Sequence, residues 1–117
     1  PASMRAAIEV LGSFPVSNKG RRIAVLGDML ELGKDAKSSH EALFEMLYKK
    51  RIDLVFSTGK NMKSLWSSLP TSMQGGWASS AEELSYLVKS NLGTDDVIMV
   101  KGSHGSNVWK VVSDLKK

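Results

Sequence analysis

Ile23-Ala24-Val25-Leu26-Gly27-Asp28 decides the fold. Four successive apolar residues show no alternation, so both faces of the segment must be buried, and the run is too short for a buried helix. Gly27 and Asp28 then end it with turn chemistry. The same grammar recurs twice. Ile52-Asp53-Leu54-Val55-Phe56 leads to Thr58-Gly59-Lys60, and Val97-Ile98-Met99-Val100 leads to Lys101-Gly102-Ser103. Each is read as a strand that runs into a glycine-bearing turn.

Helical stripes fill the intervals. Met4, Ala7, Ile8 and Leu11 share one helix face, with Ser3 as N-cap and Gly12 as stop. A second helix, over about residues 36 to 50, carries His40, Leu43, Phe44, Leu47 and Tyr48, and Ser38 with Glu41 has capping-box spacing. Met62, Leu65, Trp66 and Leu69 mark a third, stopped by Pro70. Ser80 with Glu83 opens a fourth that turns Leu84, Leu87 and Val88 inward and ends at Gly93; the last carries Val108, Val111, Val112 and Leu115. Between the third and fourth, Gly75-Gly76 reads as a turn and Trp77-Ala78 as a short edge strand. Strands buried on both faces, alternating with amphipathic helices, build a mostly parallel sheet flanked by helices with right-handed crossovers. The expected class is therefore α/β, a three-layer Rossmann-like domain over all 117 residues.

Composition removes several functions. Hydrophobic residues make up 42% of the chain, enough for a core, and no apolar run reaches membrane-spanning length. The start, Pro1-Ala2-Ser3-Met4-Arg5, lacks the charged-then-apolar order of a signal peptide. With no cysteine there is neither a disulfide framework nor a thiolate metal site, and two distant histidines make no metal centre. These features fit a cytoplasmic protein. A net charge of +4 raises the question of nucleic acid. The cations, however, sit in small groups at element ends (Lys19, Arg21 and Arg22; Lys49 to Arg51; Lys116 and Lys117), and no aromatic residues interleave them to stack bases. No nucleic-acid partner is expected.

The three glycine turns should share one edge of the sheet, where open α/β sheets bind ligands. Lys101-Gly102-Ser103-His104-Gly105-Ser106-Asn107 is the richest. Its cation, hydroxyls, amides and imidazole suit a carboxylate or phosphate. The competing reading is a solvated turn in which Ser106 or Asn107 caps the last helix. Asp28 has the chemistry to orient an amine, a ribose hydroxyl or a hydrated metal, or to make an Asx-turn or helix cap. Met29, Leu30 and Leu32 are apolar within an apparent loop and read as packing on the core or on another domain. His40 reads as a packed histidine on its helix stripe. There is no G-x-x-x-x-G-K-[ST] loop, no dinucleotide fingerprint and no serine nucleophile elbow, so the chain carries no complete engine for phosphoryl transfer or hydrolysis.

The residues resemble those of the Mur ligases. Pro1-Ala2-Ser3-Met4 is similar to the P-x-S-M that follows an Asp-x-Tyr-Asn-Ala-Asn stretch in that family. Arg22 through Gly33, Arg-Ile-Ala-Val-Leu-Gly-Asp-Met-Leu-Glu-Leu-Gly, resembles the most distinctive segment of the members that add D-alanyl-D-alanine, and His40 falls where those members carry histidine. Val100-Lys101-Gly102-Ser103 resembles the family's late K-G-S motif. The resemblance implies an ATP- and Mg2+-dependent amide ligase of three domains, acting on UDP-N-acetylmuramoyl-tripeptide in peptidoglycan synthesis. This chain would be the third domain, packed on a central ATPase domain that holds most of the cofactor contacts, and inactive alone. It implies substrate-binding roles for Gly27, Asp28, Lys101, Gly102, Ser103 and His104, with Asp28 also the candidate for a cofactor contact. His104 stands where arginine is usual, which removes a bidentate fork from the motif. A neighbouring Mur ligase with another acceptor, or a stand-alone module binding an anion or protein, are the alternatives.

Overall fold

The computed structural model describes residues 2–28 and 36–116, with side chains described for residues 4–28, 42–103 and 105–116. Among the described residues five helices and four strands follow in order: α1 (Ala2–Ser13), β1 (Arg22–Leu26), α2 (Ala36–Lys49), β2 (Leu54–Thr58), α3 (Lys60–Ser68), β3 (Gln74–Ala78), α4 (Ala81–Asn91), β4 (Val97–Lys101) and α5 (Trp109–Leu115). Short 3-10 turns occupy Thr71–Met73 and His104–Ser106.

All strand pairs are parallel, in the order β3-β2-β1-β4. Alternate residues of β1, β2 and β4 feed opposite cores. Ala24, Leu26 and Val55 pack with Met4, Ile8, Leu11, Leu43, Leu47, Met62 and Leu65 from α1, α2 and α3. Ile23, Val25, Phe56 and Ala78 pack with Leu84, Val88, Val108 and Val111 from the α4 and α5 side. Ile23, Val25, Leu26, Val55 and Phe56 are fully buried, which explains why these strands read as unbroken apolar runs. The three-layer α/β expectation is met.

Beyond shifts of a residue or two at the ends of α4 and α5, three differences from the sequence reading have a physical reason. Helix α1 continues through Gly12 to Ser13. Strand β2 begins at Leu54, two residues late, because Ile52 still closes the end of α2 while Asp53 bonds Arg22 at the entry of β1. Arg51 has φ 58, its N–H donates to the Tyr48 carbonyl at 3.1 Å, and the Ile52 N–H donates to the Leu47 carbonyl at 3.1 Å. That pair of bonds is the Schellman motif, and Leu47 and Ile52 are both buried in the same core. Arginine sits where glycine normally does, so Arg51→Gly should raise unfolding free energy by about 0.5–1 kcal/mol, read as a higher urea midpoint with an unchanged slope.

The third difference is β3, which includes both glycines read as a turn. Val55 pairs with Gln74 and Phe56 with Gly76, leaving Gly75 as a bulge. A β-carbon on Gly75 would sit 2.7 Å from the Phe56 ring, so glycine serves close packing here. The Trp66 indole N–H donates to the Val55 carbonyl at 3.0 Å beside this irregularity.

Candidate functional site

After β1 the chain steps to β2 on one side, whereas β4 docks on β1's other side. The helix after β1 covers one face of the sheet and the helix after β4 covers the other. The carboxyl ends of β1 and β4 therefore form the topological switch point, where open α/β sheets leave a crevice. Gly27-Asp28 and Lys101-Gly102-Ser103 occupy it.

Backbone bonds join the two turns. The Gly27 N–H donates to the Lys101 carbonyl at 2.8 Å, and the Ser103 N–H donates to the Asp28 carbonyl at 3.0 Å. A β-carbon on Gly27 would lie 2.6 Å from both Ser106 Oγ and Val108 Cγ1; one on Gly102 would lie 2.8 Å from Ser106 Oγ and 3.0 Å from the Gly27 Cα. In this structure, the absent side chains let the two turns and the Ser106–Val108 segment close on one another. Ser106 Oγ donates to the Ser103 carbonyl at 2.6 Å. Ser106 thus braces the loop instead of capping α5. Asn107 takes φ 61 just before that helix, a conformation asparagine tolerates, and α5 has no side-chain cap.

Asp28 lies across a third turn. Its Oδ1 accepts the Met62 N–H at 2.8 Å and its Oδ2 accepts the Asn61 N–H at 3.3 Å, so both oxygens meet the first turn of α3. Gly59, with φ 106, makes room for it: a β-carbon there would overlap the Asp28 carboxylate. The Trp77 indole N–H in turn holds the Gly59 carbonyl at 3.0 Å, and the Lys63 ammonium lies 4.7 Å above the Trp77 ring. This is the helix-cap reading of Asp28. Ser103 is different. Its Oγ is buried and finds no hydrogen-bond partner among the described residues, a costly state unless something else supplies one.

Two clefts open at the 100–107 segment. One, of about 360 Å³, is lined by Val100, Lys101, Ser103, Trp109 and Val112. The other, of about 350 Å³, is lined by Asp28, Thr58, Gly59, Ser80, Glu82 and Asn107. Sequence reasoning missed the contribution of the α4 N-terminus to the second. The available signal was Ser80 itself, which caps α4 by accepting the Glu83 N–H at 3.2 Å, as its capping-box spacing foretold. Glu82 bonds the Lys110 ammonium at 3.3 Å. Its carboxyl lies below the ordinary value, first because its own backbone N–H bonds it and then because of Lys110. Ser80→Ala should cost about 1 kcal/mol of stability, measurable by urea denaturation. A larger cleft of about 820 Å³, among Tyr48, Arg51, Asp53 and Pro70, lies by the amino ends of the strands, opposite the switch point. The switch-point turns are the better candidate despite their smaller volume, because ligands in such sheets sit at the carboxyl ends.

Of the expected site residues, the fold brings Gly27, Asp28, Lys101, Gly102 and Ser103 together. His104 opens the 3-10 turn beside them, but its side chain, like that of His40, is outside the described residues, as are Met29, Leu30 and Leu32. Among the described residues no helix is long and apolar enough to cross a membrane.

Comparison with known proteins agrees with this architecture. The Mur ligase, glutamate ligase domain family matches residues 1–104. UDP-N-acetylmuramoyl-tripeptide–D-alanyl-D-alanine ligase of Bacillus subtilis is 31% identical over 118 residues, 98% of this chain and 25% of that protein. The ligase of the same name from Rickettsia prowazekii is 30% identical over 112 residues, 96% of this chain and 24% of that protein. The crystal structure of MurF from Acinetobacter baumannii superposes with a TM-score of 0.78 at 23% identity, over 98% of this chain and 25% of that one. MurF ligase from Thermotoga maritima, in complex with ADP, superposes with a TM-score of 0.77 at 24% identity, over 97% of this chain and 25% of that one. The chain thus spans about a quarter of the length of the relatives it matches. The fold, the placement of the strand-end turns and these matches make the chain a member of the Mur ligase family, as its C-terminal, glutamate ligase domain.

Proposed function

We propose that this chain is the third domain of a cytoplasmic, ATP-dependent ligase that joins D-alanyl-D-alanine to UDP-N-acetylmuramoyl-tripeptide, and that it receives the dipeptide. The observation that carries this reading is the buried, unpartnered Ser103 Oγ beside Lys101 at the switch point. A hydroxyl and an ammonium on one turn suit a carboxylate, and the acceptor dipeptide ends in one. Gly27 and Gly102 would contribute by keeping that turn closed and its backbone near the ligand. His104, when protonated, would add a second cation without arginine's fork.

The described residues do not fit a magnesium site. No three carboxylate or imidazole groups converge among them, and the two oxygens of Asp28 already accept α3 amides. We assign ATP and Mg2+ mainly to the central domain of the full chain. This domain would supply position: the acceptor amine, held within reach, attacks a carbonyl activated elsewhere. Aligning the two is a proximity effect, completed as the domain closes. Accordingly the isolated 117-residue chain should show neither ligase nor ATPase turnover. Turnover by the pure chain, measured as phosphate release with all three substrates, would refute the division of labour. The substrate assignment is tested by steady-state kinetics of Lys101→Ala in the full ligase, where the dipeptide KM should rise and the ATP KM should not.

A further inference from the structure

We propose that Asp28 is a positioning residue that fixes the Lys101-Gly102-Ser103 turn, acting through backbone geometry and not by touching a ligand; its importance for acceptor binding rests on the function proposed above. Three turns meet at this one residue. Its carboxylate holds the Asn61 and Met62 amides at the start of α3, and its carbonyl accepts the Ser103 N–H at 3.0 Å. The preceding N–H, of Gly27, bonds the Lys101 carbonyl at 2.8 Å. Asp28 therefore couples the ends of β1, β2 and β4.

The coupling has a direction. Helix α3 is anchored in the core by fully buried Met62 and Leu65. The 102–107 segment, beyond the end of β4, is irregular apart from one short 3-10 turn, with half-buried residues at Gly102 and Ser103. Clamping the Asp28 side chain to the anchored helix sets the plane of its own peptide, and that carbonyl sets Ser103. Gly59 belongs to the same device, because a side chain there would evict the carboxylate. A buried hydroxyl with no partner keeps a useful direction only if its backbone is held, and the Asp28–Ser103 bond holds it.

The test is amide hydrogen exchange by NMR on the 117-residue chain, comparing Asp28→Ala with the parent. Exchange at Ser103 should accelerate roughly tenfold relative to the Val25 and Phe56 amides in the sheet, although the backbone acceptor of Ser103 is retained. Asn61 and Met62 should accelerate as well. Gly59→Ala should give the same pattern, and the double variant should add little, as expected for two parts of one device. Ser80→Ala removes a cap from a different helix and should leave Ser103 unchanged. If Asp28→Ala does not fold, Asp28→Asn replaces it: the amide oxygen can still accept one α3 N–H, so the same amides should move by less. Acceleration confined to Asn61 and Met62 would reduce Asp28 to a helix cap and overturn the proposal. Equal acceleration of every amide, or an effect of Ser80→Ala on Ser103 as large as that of Asp28→Ala, would overturn it too. These readouts need no substrate, so they separate failure of this coupling from failure of the dipeptide assignment.

Discussion

Lys101→Ala in the full ligase should raise the KM for D-alanyl-D-alanine roughly 10- to 100-fold while the KM for ATP stays within about twofold. Lys101 is the last residue of β4 and its backbone is pinned on both sides of the switch point, by pairing with Leu26 and by the Gly27 N–H. Its ammonium makes no ion pair with any described residue, so alanine would remove the proposed ligand contact without unpairing an acid among the described residues. A hydrogen bond to a charged group contributes about 1.5–3 kcal/mol, which sets the expected factor. The nucleotide, assigned to another domain, should notice little. Lys101→Arg should recover part of the loss, since the charge is kept and the reach changes. Equal losses for dipeptide and ATP would point to a general closure defect and against a carboxylate contact.

The largest stability effect is expected at the opposite edge. Asp96→Ala should lower the unfolding free energy by about 2–3 kcal/mol. The Asp96 side chain is only 2% exposed and accepts from the Arg21 N–H at 2.9 Å, Arg21 Nε at 3.2 Å, Arg21 Nη2 at 2.7 Å and the Gly93 N–H at 2.7 Å. It ties the entry of β1 to the entry of β4. Arg21 is 37% exposed, so water can hydrate its guanidinium in the variant, which keeps the cost below that of stranding a fully buried cation. The effect should depend on pH. The Arg21 hydrogen bond, ahead of the Gly93 and Arg21 backbone N–H bonds, holds the Asp96 carboxyl below its ordinary 3.8 despite burial. The unfolded chain therefore binds this proton more readily than the folded one. The contribution of Asp96 is complete above pH 3.8 and declines as pH falls through the lowered folded value. Parent and Asp96→Ala should differ in urea midpoint at pH 7 and converge in strong acid. A difference independent of pH would assign the effect to packing instead of charge.

Much of this was legible in the chain itself. β1 was visible because a parallel strand buried on both faces must be apolar at every position, and Ile23–Leu26 are; β4, an edge strand and only half-buried, was visible because Val97–Val100 still pack alternately against both cores. Their glycine turns were visible because the class of fold puts such turns on one edge. β3 was half hidden. Gln74, Gly75 and Gly76 have no strand chemistry of their own, and the reason for Gly75 is the Phe56 ring, a residue from another strand. Likewise, nothing local distinguishes an Asp28 that reaches a ligand from one that reaches Asn61 and Met62, more than thirty positions away. The loop after β4 was singled out from its residue types, but its internal brace was not: Ser106 donates back to Ser103, a bond that requires the turn already folded. Local patterns fixed the elements, whereas contacts between distant turns decide what each turn residue does.

The proposed dipeptide site can be tested by hydrogen–deuterium exchange on the full-length protein, with the proposed UDP-linked tripeptide and a non-hydrolysable ATP analogue present, before and after adding D-alanyl-D-alanine. The dipeptide should slow exchange over residues 101–107 and at 27–28. Protection elsewhere, with these two turns unchanged, would contradict it.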